Sequence, residues 1–509
     1  MENFYSAMEN TLAQMIFCLN ENQLITDNGL MHLFAETDEI KASIDNTLKA
    51  DTREGLLHQL TVIQEKQAKQ GRTAFLFTMS PSYRLFDTVE AYDGGISCDA
   101  YMYENHRSNC NDNDTCQLRI MRLDVSFTQQ KGLAKICEFH LFTIQTMRAW
   151  PFDTARDSAP MTPFVNTAFC KSPELTAGVV SAYAEVKKTV NMLWDRLLFQ
   201  IDHLFSDKAV YEKLKQYFCS ESTAQPAIGL TASPQIFRAE NGVINVLSPV
   251  EVFKLKSKTS PAVQRTFHYV WLCIFCENGL WKVQDVQMMP VFTLPLLPYI
   301  SGKRYDKISY DILPWKLYNT ATPYMYPEDA YEIENILSQW IYSARRGKLW
   351  PFYRKYMKND SFVPKMMMKS YGNQSPVHVG KAGIQKKLED LESHYIPGMY
   401  SYHMATTPVI QFSEDGKTAW GAWFDHSATS LYDDAVCKDE IPHMVFVGRY
   451  MHEFKKIQNQ WYMTSFFSEP LLSMADWMFD VPASEGWVKN RKGEHYPKLF
   501  SSLSLYSNT

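Results

Sequence analysis

This chain repeats its own text at a long interval, and that repeat dictates a serial architecture. Leu123 to Asp153 aligns without a gap on Tyr450 to Asp480, so that Phe127 falls on Phe454, Phe139 on Phe466 and Trp150 on Trp477. The same register superposes Pro81 on Pro408. A weaker middle copy begins at Ser233, which matches the text from Thr407, and continues as FCENGLW from Phe275, which matches FKKIQNQW from Phe454 with one residue fewer. A period of ~150 residues is domain-sized and too long for a solenoid unit. At 509 residues the chain also exceeds what one hydrophobic core supports. Three related domains in series are therefore expected, at residues 1–153, 179–290 and 326–481, with 482–509 as a tail lacking periodicity. Asp153 to Gly178 and Pro290 to Asp329 read as connectors, the second too apolar for a free tether and expected to pack along its neighbours.

Each copy opens with helical text and closes with strand text. Ile333, Ile336, Leu337, Trp340, Ile341 and Ala344 recur at helical spacing behind Pro327, Glu328 and Asp329, a favourable helix start. Val190, Leu193, Trp194, Leu197, Leu198 and Ile201 repeat the pattern in the middle copy, and each such helix is expected to bury one face. Glu414-Asp415-Gly416 and Glu240-Asn241-Gly242 are hairpin-type turns between apolar runs. The fold class is α+β, with helices first and an antiparallel sheet after.

Composition removes several function classes. A net charge of -5 and a pI near 6.2, with no basic run, give no electrostatic footprint for nucleic acid or an anionic membrane. No stretch approaches the ~18 apolar residues of a membrane span, and no basic start precedes an apolar run, so a cytoplasmic protein is expected. Ten scattered cysteines suit a reduced compartment, and Cys273 and Cys276 sit in strand-like text that turns them to opposite faces. The sequence contains no dinucleotide or phosphate-loop fingerprint, no H-E-x-x-H and no nucleophile elbow, so no cofactor or metal is implied. With 45% hydrophobic and 14% aromatic residues, the chain can bury a large core and favours apolar cavities over a polar groove, and self-association is allowed for.

The third copy resembles the SnoaL-like branch of the nuclear transport factor 2-like superfamily. The resemblance rests on IENILSQWIYSARRGKLWPFYRKY, NDSFVP, GKAGIQKKLEDL, YHMATTPVIQFSEDGKTAWGAWF and VGRYMHEFKKIQNQWYMTSFF, in that order. It implies a cone-shaped domain in which helices close over a strongly curved sheet around an apolar pocket, and three tandem cones if the repeat carries it over. It also implies cofactor-free cyclase, dehydratase or isomerase chemistry on polyketide-, steroid- or aromatic-like molecules, or binding alone. The family's histidine, five residues before a strand proline, corresponds to His403 ahead of Pro408; the first two copies hold Leu76 and Gly229 there. The family's helix aspartate corresponds to Arg345, which cannot be a base but can hold an anionic oxygen.

The expected catalytic residues are His403 as base, Tyr342 as hydrogen-bond donor and Asp425 as replacement acid at the end of a strand. Arg345, Trp340, Trp423 and His426 are expected to contact substrate, with Asp425 and His426 at the pocket mouth. His403, Tyr342, Arg345 and the Asp425–His426 pair each have a structural alternative: a buried histidine bonded to backbone, a core tyrosine, the charged end of a helix, a solvated strand end. His452 and Glu453 lie on alternate faces of a strand, so at most one points inward. Two functions stand open, a cofactor-independent lyase or isomerase acting in domain three, and a non-catalytic ligand-binding or scaffold protein.

Overall fold

The computed structural model describes residues 2–21, 30–69, 72–85, 94–106, 115–148, 227–231, 236–240, 243–255, 263–277, 280–295, 302–304, 327–345, 349–368, 377–393, 399–431 and 443–475. The first unit runs α1 (Glu2–Glu21), β1 (Glu39–Ile44), β2 (Leu48–Thr52), α2 (Arg53–Lys69), β3 (Arg72–Leu85), β4 (Gly94–His106), β5 (Thr115–Gln130) and β6 (Leu133–Arg148). The middle unit contributes β7 (Ala227–Thr231), β8 (Ile236–Glu240), β9 (Val243–Leu255), β10 (Val263–Glu277) and β11 (Leu280–Pro295), followed by the short β12 (Gly302–Arg304). The last unit runs α3 (Pro327–Arg345), β13 (Lys365–Met368), β14 (His378–Val379), α4 (Gly380–Ser393), β15 (Met399–Phe412), β16 (Thr418–Leu431), β17 (His443–Ile457) and β18 (Gln460–Ala475). The class is α+β. The helix expected around Val190 to Ile201, the first connector and the tail lie outside the described residues.

The first and last sheets share one strand order, β2-β1-β6-β5-β4-β3 and β14-β13-β18-β17-β16-β15. In both, the short strand after the first helix joins the last strand in parallel, β1 on β6 and β13 on β18. The sheets are thus mixed, which corrects the expected antiparallel sheet, and strands also separate the two helices of each unit. Neither four-residue β13 (KMMM) nor two-residue β14 is long enough to display the alternation that betrays a strand.

Irregularities recur at aligned places. The bulges at Met79/Ser82, Ile120/Met121 and Ser126/Phe127 match those at Thr406/Val409, Val447/Gly448 and Glu453/Phe454. The β5–β6 turn residues Lys131 (φ 53) and Gly132 (φ 79) match Gln458 (φ 49) and Asn459 (φ 67), the doubly left-handed geometry of a two-residue hairpin loop. In the middle unit, β10–β11 carries bulges at Phe267/His268 and Cys273/Ile274. Measured from these, Trp281 opposite Cys276 takes the place of Trp461 opposite Lys456, and Ile274 that of Phe454. No residue is missing, which corrects the expected one-residue deletion.

α1 and α3 are buried on every side rather than on one face. In α1 even Glu9, Asn10, Thr11 and Gln14 are buried, and in α3 Glu334, Asn335, Ser338 and Gln339. The cause is a second neighbour, since α1 packs on its own sheet and on β15, while α3 packs on β15 and on β8. Thr11 donates to the carbonyl of Ala134 at 2.9 Å, the Ile410 backbone N–H donates to Asn10 at 3.3 Å, and Phe17 stacks on Phe424 at 4.2 Å. β3 also touches β15 and β7, so strands from all three units meet. Of the expected second connector, β12 pairs along β18, while Pro290–Pro295 belong to β11 and Pro327–Asp329 to α3. Among the described residues, no helix is long and apolar enough to cross a membrane.

Candidate active site

The face of the last sheet turned toward α3 carries Ala419, Trp423, Tyr450, Phe454, Met463 and Phe466, which form one core with Ile333, Leu337 and Trp340. Side chains alternate along a strand, so Asp425 and Ser427 share the face of Trp423. Directly opposite residues also share a face, which brings in His403 across from Ser427 and His452 across from Gly421. Register alone thus gathers four polar side chains on the helix-facing side of β15, β16 and β17.

His403 Nδ1 lies 3.2 Å from Asp425 Oδ2 and 2.7 Å from Ser427 Oγ. The tautomer with its proton on Nδ1 lets Asp425 accept and leaves the basic lone pair on Nε2. The His403 side chain is 16% exposed and that of Asp425 3%, so the imidazole is the accessible member and the carboxylate stands behind it. Such a pair fixes the tautomer and stabilises the imidazolium once a proton is taken.

Deeper in the unit, His452 is fully buried and stacks on Phe466 at 4.5 Å, with Trp423 tilted against it at 5.8 Å. Burial pushes its imidazole pKa down to about 3, so it stays neutral. Its Nδ1 accepts the Phe467 backbone N–H at 3.3 Å, which leaves the ring proton on Nε2. Trp340 closes the cluster from α3 against Phe466 at 4.5 Å. Gly421 makes room for Trp423, because a Cβ there would lie 2.1 Å from the indole ring.

The expected site residues divide. His403 and Asp425 meet, Trp340 and Trp423 join one buried aromatic cluster on the same side, and Ser427 and His452 complete the set. Asp425 lies inside β16 rather than after it. His426 does not stand at a pocket mouth: it takes the opposite face with Phe424, fully buried, 3.6 Å from Glu251 of β9. It sits in the seam between the middle and last units because adjacent strand residues point apart. Tyr342 and Arg345 fall at the C-terminal end of α3, and their side chains lie outside the described residues. Ser427 was signalled only by its spacing two residues from Asp425. His452 was singled out as one of an alternating pair, and it is the inward member.

The matching ladder positions of the other units are apolar. The first has Leu76, Ala100, Met102 and Val125 where the last has His403, Asp425, Ser427 and His452. The middle unit has Gly229, Val250, Val252 and Leu272.

No protein-family model matches the chain, and no curated protein matches it. Among solved structures it is similar to a member of the NTF2-like family from Streptomyces avermitilis assigned as a dehydratase, at 14% identity and a TM-score of 0.24, over 28% of this chain and 95% of that one. A protein from Kribbella flavida, Kfla4162, aligns at 15% and 0.24 over 28% and 90%, and a hexachlorocyclohexane dehydrochlorinase, LinA-type3 of Novosphingobium barchaimii LL02, at 9% and 0.22 over 32% and 94%. At these scores the neighbours decide nothing about this chain; its own strand orders and registers do.

Proposed function

We propose that the chain is built from three SnoaL-like cones, and that the last is a cofactor-independent acid–base enzyme, a lyase or isomerase acting on a hydrophobic small molecule. The supporting observation is the His403–Asp425–Ser427 group, polar in the last unit where the register-matched positions of the others are apolar. His403 Nε2 takes a proton from the carbon next to a carbonyl, and Asp425 compensates the charge that appears on the ring. Returning that proton to a departing hydroxyl gives dehydration; returning it to another carbon gives isomerisation. Tyr342 and Arg345 are proposed to approach from α3, as hydrogen-bond donor and fixed cation for the developing enolate oxygen.

Two observations favour a second reading, a non-catalytic ligand-binding or scaffold protein: Trp340, Trp423, His452 and Phe466 are each 2% exposed or less, and the three units are packed together. Loss of the methyl proton signal of 2-acetonaphthone in D2O, followed by NMR, separates the two. The enzyme reading expects exchange above buffer background, falling ~10²–10⁴-fold in His403→Gln with an unchanged melting temperature. Equal exchange in parent and variant ends the base assignment, and binding without exchange supports the second reading.

A further inference from the structure

The first unit carries a polar constellation of its own, on the outer face of its sheet. His140 of β6 lies 2.7 Å from Ser43 Oγ through Nδ1 and 2.8 Å from Glu138 Oε1 through Nε2. The backbone brings the three together: β1 and β6 run parallel with Ser43 beside His140, and Glu138 precedes His140 by two residues on the same face. Ile40, Ala42, Phe139 and Leu141 take the other face and are buried. The imidazole tautomer with its proton on Nε2 donates to Glu138 and turns the Nδ1 lone pair to the Ser43 hydroxyl. A nucleophile within hydrogen-bond reach of a base that a third group orients is the arrangement that activates a serine. The group is open to solvent, the His140 side chain being 39% exposed and that of Glu138 21%. The register-matched positions of the last unit are Met367, Phe467 and Ser465, so the last unit does not repeat it.

We propose that Ser43 is the nucleophile of a separate active site, which hydrolyses carboxylic esters bearing an apolar group. Ser43 Oγ attacks the ester carbonyl as its proton passes to His140 Nδ1, and Glu138 steadies the imidazolium. Lys49 stands directly across from Ser43 on β2 and is exposed, as is Lys41 two residues before Ser43, so cations flank the oxyanion of the tetrahedral intermediate. The carbon–oxygen bond to the alcohol then breaks, and His140 returns the proton to that alcohol. Water, deprotonated by His140, next attacks the acyl-serine, releases the carboxylic acid and restores the Ser43 hydroxyl. Phe142, the following residue of β6 on this face, is 44% exposed and offers its ring to the hydrocarbon part of the ester. Asp124, opposite His140 on β5, lies 3.9 Å from Arg122 and leaves Glu138 as the carboxylate bonded to the imidazole.

The test treats the full chain with an alkyl fluorophosphonate, whose phosphorus an activated serine attacks with loss of fluoride, and locates the adduct by peptide mass spectrometry. 4-Nitrophenyl butyrate reports the acyl step as a burst of nitrophenolate. The parent is expected to carry the label on Ser43 and to show the burst. Ser43→Ala should lose both, and His140→Gln should slow labelling by ~10²–10⁴-fold, each with the circular dichroism spectrum of the parent. Glu138 positions the imidazole, so Glu138→Gln should lower the maximal labelling rate while leaving the half-saturating probe concentration unchanged, and Glu138→Asp should recover part of that rate. No label on Ser43 in the parent, labelling no faster than in the urea-unfolded chain, a burst that persists in Ser43→Ala, or an undiminished rate in His140→Gln overturns the proposal.

Discussion

Gly421 gives the Trp423 ring its place beside the site. A methyl group there would meet the Trp423 ring at 2.1 and 2.5 Å, and that ring is fully buried. Gly421→Ala is expected to destabilise the protein by about 1–3 kcal/mol, read as a lower urea midpoint at unchanged slope. A neutral result would mean that the indole repacks freely. At the same scale, a partly buried carboxyl and a fully buried imidazole set opposite pH dependences. Glu332 has its carboxyl raised from 4.5 to about 7, first by burial and then by Asp329, which itself accepts from Lys456 at 2.7 Å and from Trp461 Nε1–H at 2.9 Å. A raised folded pKa means that the folded state holds the proton longer, so this contribution is full below about 4.5 and is lost as pH rises through 7. His452 works the other way, from 6.5 down to about 3, with stability present above 6.5 and lost as pH falls toward 3. Glu332→Gln should therefore raise stability at pH 8 relative to the parent, by up to about 3 kcal/mol, and flatten the decline between pH 4.5 and 7. Parallel parent and variant curves across that window would refute it.

At the scale of elements, the strand pairs carried most of what the sequence made readable. His403 before Pro408 and Asp425 in WGAWFDH are 22 residues apart, and their meeting follows once β15 and β16 pair around the Ser413–Lys417 turn. The register of that pair was not legible, and it alone decides that His426 faces the inter-unit seam and Ser427 the site. Short β13 and β14 escaped notice because Met366 and Met367 resemble core filler, and they are buried in a strand whose partner, β18, lies nearly a hundred residues on. The all-round burial of α1 was hidden for a related reason. Glu9, Asn10 and Gln14 mark a solvent face in a lone domain, whereas here another unit covers them. Phe17→Ala, which removes a ring stacked on Phe424 of β16, is expected to cost about 3–5 kcal/mol and to lower hydrogen-exchange protection in β15 and β16 as well as in the first unit. Loss of protection confined to the first unit would contradict that coupling.

Across the whole molecule, one strand order and one set of bulges frame the first and last units, and the interiors differ. The scaffold stayed legible as repeated text because bulges and turns need particular residues at particular places. Polarity inside a pocket answers to no such constraint, so Leu76, Ala100 and Met102 stand where His403, Asp425 and Ser427 do without disturbing the ladder. The first two units serve in this account as packing partners, with α1 covering β15 and β8 lying against α3. The most direct test is a crystal structure of the full chain soaked with 2-acetonaphthone. The account predicts ligand density in the last unit alone, between α3 and the sheet, in contact with His403. Density within the first or middle unit, or on the His426 side of the sheet, would contradict it.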